Sequence, residues 1–173
     1  MAVETIYRGF EGKSGLFQAV VEAAVAGGAD RAERPVEERP AIKAVIEEPD
    51  PRRKVELYAA TQPGIHARSG ALLRALREAA TVAPELAAVL QRLESQRLEG
   101  MARLAQHLAD HNFLRAGITV EQARDLLWAV NSLTIHDLLV LERGWLPDRY
   151  QWWITTVMTN SLLSGPPIGD THE

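Results

Sequence analysis

Apolar residues recur at spacings of three and four through most of the chain, and strand-like alternation never lasts more than a few positions. That periodicity predicts helices. Residues 1–10 read as a short helical piece. Leu16, Val20, Ala23 and Ala24 place a helix over 13–26, and Gly27-Gly28 ends it, as glycine commonly does just past a helix. Residues 29–50 carry mixed charge and Pro35, Pro40 and Pro49, so they read as a linker with a brief helix near 41–47. Asp50-Pro51 is an N-cap followed by a proline in the first turn. Val55, Tyr58 and Ala59 give the next apolar stripe, Pro63-Gly64 predicts a break, and Leu72, Leu73 and Leu76 predict a new helix over 67–80.

Pro84 opens the clearest helix, 84–111, with Leu86, Leu90, Leu93, Met101, Leu104 and Leu108 on one face. Arg97 interrupts that stripe between Leu93 and Met101. Thr119-Val120-Glu121-Gln122 has the form of a capping box. The helix predicted after it, 120–142, is apolar nearly all round, and such a helix must be covered on more than one side. Gly144 stops it, and Pro147 starts the last helix, 147–164, which carries Trp152 and Trp153. Gly165-Pro166-Pro167 ends that helix, and 166–173 reads as a loose tail.

The expected fold class is therefore all-α, a helical bundle. At 173 residues the chain is long enough for a sizeable core without staples. It has no cysteine, which excludes disulfides, thiolate zinc sites and thiol nucleophiles. A net charge of −4 argues against a protein that coats nucleic acid. No apolar run approaches the ~20 residues of a membrane span, and the start lacks the segments of a signal peptide. A cytoplasmic location without a membrane partner is expected.

Chemistry is sparse. His107 and His111 lie four apart on a helix, a spacing that can put two metal ligands on one face. The other reading is a helix end whose dipole favours histidine. His136 and Asp137 are neighbours, which in a helix do not face each other. No phosphate loop and no nucleophile elbow is present, so no enzyme activity, cofactor or metal is expected. Asn131, Ser132, Thr134, His136 and Asp137 interrupt the apolar helix, and buried polar groups need partners. Those partners are either neighbouring helices or a ligand in a largely apolar pocket. The candidate lining residues are Tyr58, His66, Met101, His107, Phe113, Trp128, Asn131 and Ser132, around an internal cavity near Trp128 and Met101.

The stretch Thr5-Ile6-Tyr7-Arg8-Gly9-Phe10-Glu11-Gly12-Lys13-Ser14-Gly15-Leu16-Phe17 resembles the end of the DNA-binding domain of TetR-family transcriptional regulators. The six anchors of that motif match at Thr5, Ile6, Tyr7, Phe10, Lys13 and Leu16. Trp128 to Ser132 and Glu142 to Trp152 are similar to the last two helices of many members. The resemblance implies a residual helix-turn-helix fragment over 1–28, a linker over 29–50, a ligand-binding and dimerisation domain over 51–165, and a tail. It implies DNA contacts at Thr5, Tyr7 and Lys13, the last two at phosphate, where a phenol and an ammonium can both hold an anion. Its partners would be operator DNA, a small-molecule effector and a second copy bound through 120–142 and 147–164. The family pattern has two helices ahead of the recognition helix, and this chain begins inside it. The expectation is a start upstream of Met1 and no specific operator binding by the 173 residues alone. The alternative is a relative that keeps only ligand binding or dimerisation.

Overall fold

The structure is a computed structural model that describes residues 12–165. The expected helix at 1–10, with Thr5 and Tyr7, and the tail at 166–173 lie outside the described residues. Among the described residues the chain is mostly helical, with no strand. The helices are α1 (Lys13–Ala26), α2 (Ala29–Ala32), α3 (Pro40–Glu47), α4 (Pro51–Ala79), α5 (Pro84–Asp110), α6 (Val120–Val130), α7 (Leu133–His136) and α8 (Pro147–Leu162). A short 3-10 turn at Val36–Glu38 precedes α3, and a π-helical segment at Asp137–Glu142 follows α7.

Two elements differ from the sequence reading. Pro63 does not end its helix but lies inside α4, which runs on to Ala79. A proline in a helix interior removes one hydrogen bond and costs ~3 kcal/mol. Buried residues on both sides of it, Tyr58, Ala59, Gln62, His66 and Ser69, offset that cost. The predicted helix 120–142 is divided instead. Asn131 caps the end of α6, and Ser132 opens α7 by accepting a hydrogen bond from Ile135 N at 3.3 Å. Short polar side chains compete with the backbone in this way, and so they favour caps over helix interiors. The capping box forms as read: Thr119 Oγ1 accepts from Gln122 N at 3.2 Å, and Gln122 Oε1 accepts from Thr119 N at 3.0 Å.

The chain divides into two compact units that are discontinuous in sequence. One holds the residues up to Arg39 together with Gly64–Gln96, and the other holds Pro40–Pro63 together with the chain from Arg97 onward. The sequence signals at Pro63-Gly64 and Arg97 fall at the edges of these units, although neither interrupts its helix.

In the first unit Val21, Leu76 and Val89 are buried. Arg68 Nε donates to Ala24 O at 2.9 Å, which sets a cation on the open carbonyls at the end of α1. Gly27, at φ 84°, closes that helix with its N–H on Ala23 O. Lys13, the described member of the expected DNA-contact set, is exposed at the start of α1.

The second unit has the larger core. Val55, Tyr58 and Ala59 of α4 meet Met101, Ala105 and Leu108 of α5, Leu127 of α6, and Tyr150, Ile154 and Met158 of α8. The segment expected to be a linker contributes Val45 of α3 to the same core. Lys54 holds α3 in place. Its residue is 1% exposed, and Nζ donates to Val45 O and to Ile46 O at the end of α3. No helix among the described residues is long and apolar enough to cross a membrane.

Candidate functional site

Within the second unit, one hydrogen-bonded chain links three helices. Arg97 of α5 donates through Nη1 to Asn131 Oδ1 at 2.9 Å and to Trp128 O at 2.7 Å. Asn131 Nδ2 donates to the hydroxyl of Tyr58 on α4 at 2.5 Å, and that hydroxyl donates to Met101 Sδ at 3.2 Å. The amide orientation follows from chemistry, because a guanidinium has no acceptor and the amide oxygen must face it. Tyr58, Met101 and Asn131 are buried. The outer end is half-buried Arg97, whose guanidinium carbon lies 4.5 Å from the centroid of the Trp128 ring. Burial pushes the Tyr58 hydroxyl well above the usual phenol range, against smaller opposing effects of Asn131 and Arg97. The phenol is therefore neutral and available as a donor at physiological pH.

The chain ends at α6 because Asn131 is its C-cap, with its own N–H on Leu127 O at 3.2 Å. Local backbone geometry thus fixes the amide that joins Arg97 to Tyr58. Arg97 was not among the site residues read from the sequence. Its interruption of the stripe between Leu93 and Met101 was the signal that could have found it.

The space bounded by Tyr58, Leu104, Leu108, Leu127 and Met158 has no room for a water molecule. Large side chains from four helices converge there, and its polar groups are bonded within the protein, Lys54 to Val45 O and Ile46 O and Tyr58 to Asn131 and Met101.

The remaining candidates separate. Ser132 is a helix cap, and His66 belongs to the first unit. His107, His111 and Phe113 form a second cluster at the end of α5: the two imidazoles are 4.3 Å apart, and Phe113 stacks on His111 at 5.6 Å. His111 Nδ1 is 2.8 Å from His107 O, and His107 Nε2 is buried without a hydrogen-bond partner among the described residues. Burial lowers the His107 pKa, nearby Lys54 and His111 lower it further, and Asp110 opposes them. Among the described residues, no three His, Cys, Asp or Glu side chains are grouped to hold a metal ion. His136 and Asp137 do meet, with Nδ1 3.1 Å from Oδ1, contrary to expectation. The junction between α7 and the wider π-helical winding falls between them.

Compared with protein-family models, with curated proteins and with solved structures, the chain matches none.

Proposed function

We propose that the protein is a TetR-like regulator whose larger helical unit senses a small molecule and forms a homodimer. The observation that carries this reading is the Arg97–Asn131–Tyr58 chain, which couples α4, α5 and α6 through single hydrogen bonds. A ligand that takes Arg97 or Asn131 as its partner breaks the coupling of all three helices at once. A ligand that binds better to the conformation in which this coupling is broken shifts the population toward it.

The dimer surface lies on the π-helical segment and α8 of the same unit. Leu138 is 44% exposed, Leu141 56%, Leu146 73% and Trp152 38%. Exposed apolar residues on two successive elements suit an isologous contact with a second copy. Arg149 stacks over Trp145 at 4.2 Å, and Trp145 meets Trp153 edge-on, so the surface has a rigid aromatic margin. DNA contact falls to Lys13 and to Thr5 and Tyr7, by resemblance to the family motif.

Sedimentation tests the assembly. The chain should sediment as a dimer at micromolar concentration, and Leu141→Glu with Leu146→Glu should reduce it to the 19.1 kDa of one chain. A monomeric wild-type chain overturns the dimer. Gel shifts at several salt concentrations test the DNA step: a regulator binds a promoter fragment specifically and more weakly as salt rises, and the absence of any shift favours the reading as a ligand-binding or dimerisation protein.

A further inference from the structure

A second site lies away from the hydrogen-bonded chain, where the end of α8 meets the loop after α5. Leu114 and Leu163 pair there in an antiparallel bridge, with Arg115 N donating to Leu162 O at 2.8 Å and Ser164 N to Phe113 O at 3.3 Å. This pairing fixes one wall of a half-open cavity of about 410 Å³, a size that suits a small organic molecule. Its lining includes Arg52 from the first turn of α4, Arg115, Thr159, Asn160, Leu163 and Ser164.

Two arginines from separate elements, Arg52 and Arg115, belong to this lining. Arg115 is anchored through Nη1 on Asn160 O at 3.2 Å, which leaves further donors on its planar fork. The rim glycine makes room for Arg52: a Cβ at Gly165 would come within 3.1 Å of Arg52 Nη2. Gly165 also holds φ at +115°, a conformation that L side chains rarely adopt. The Thr159 hydroxyl is buried and has no hydrogen-bond partner among the described residues. Leu163 supplies an apolar part of the lining beside the polar groups.

We infer that this cavity binds a small organic anion, a carboxylate or phosphate ester with a compact apolar body. Forked guanidinium donors match both oxyanion headgroups, and pairs of this kind are among the stronger hydrogen bonds. The inference does not depend on the regulatory reading, because binding is measured directly and without DNA.

The test titrates the full chain with benzoate, with phenyl phosphate and with neutral benzamide, following amide resonances by nuclear magnetic resonance. Benzoate or phenyl phosphate should give saturable shifts at Thr159, Asn160, Ser164 and Arg115, with Kd on the order of 1 mM or tighter. Arg52→Gln and Arg115→Gln should each weaken binding at least about tenfold. Arg53→Gln should leave it unchanged, since Arg53 is exposed, pairs with Glu56 and lies outside the lining. Melting curves that coincide with wild type establish that each variant is folded, and a variant that fails this is replaced by Asn160→Leu at the same wall. Absence of saturable shifts with both anions, equal binding of benzamide, or anion binding unaffected by the folded variants overturns the site.

Discussion

If the Arg97–Asn131–Tyr58 chain is an energetic unit, Tyr58 and Asn131 must not behave independently. Tyr58→Phe removes the hydroxyl and leaves Asn131 Nδ2 with only Met101 Sδ, at 3.4 Å. An under-satisfied buried donor costs ~1–3 kcal/mol. Asn131→Leu removes the acceptor of a charge-assisted bond, although Arg97 Nη1 keeps Trp128 O, and costs ~1–3 kcal/mol. The Leu side chain is compatible with the backbone at 131, where φ is −92°. In the double variant both partners are apolar, so neither strands the other. The double variant should therefore be less destabilised than the sum of the singles by ~1 kcal/mol or more. Urea titration followed by tryptophan fluorescence suits the measurement, because Trp128, Trp145, Trp152 and Trp153 all lie in the unit that carries the mutated pair. Additivity within ~0.5 kcal/mol would show that the bonds are incidental and would remove the coupling on which the sensing proposal rests.

Lys54→Met keeps the buried stem but strips Val45 O and Ile46 O of their donor, so hydrogen exchange of the α3 amides should accelerate by about tenfold or more, and unchanged exchange contradicts the anchoring role. His107 has a folded pKa below its ordinary 6.5, so the native state binds fewer protons than the unfolded chain in that region. Its contribution is therefore fully present above 6.5 and is lost as the pH falls through that value toward the folded pKa; urea midpoints should drop on acidification, and less so in His107→Gln. Thr119→Ala removes the capping hydroxyl of α6 and should lower stability by ~1 kcal/mol in the same titration, whereas Thr119→Ser should recover most of it.

Local signals in the sequence determined the helical class and many of the helix ends. Pro51, Pro84 and Pro147 sit in first turns, Gly27 ends α1, and Thr119 with Gln122 builds the capping box, because these effects act over a few neighbouring residues. The polar interruptions at Asn131 and Ser132 were legible too, but not their meaning. From the sequence alone a buried amide can face a ligand or a neighbouring helix. Only the approach of Arg97, thirty-four positions away, and Tyr58, seventy-three away, shows which groups that amide meets. The same holds for Pro63. Propensity argued for a break, and the burial of its flanks carried the helix through and moved the discontinuity into the packing. The cavity lined by Arg52 and Arg115 had no sequence signal at all, since its two guanidinium groups come from distant elements joined by the pairing of Leu114 with Leu163. Spacing along one helix governs what a residue shares a face with, and long-range packing alone governs what that face meets.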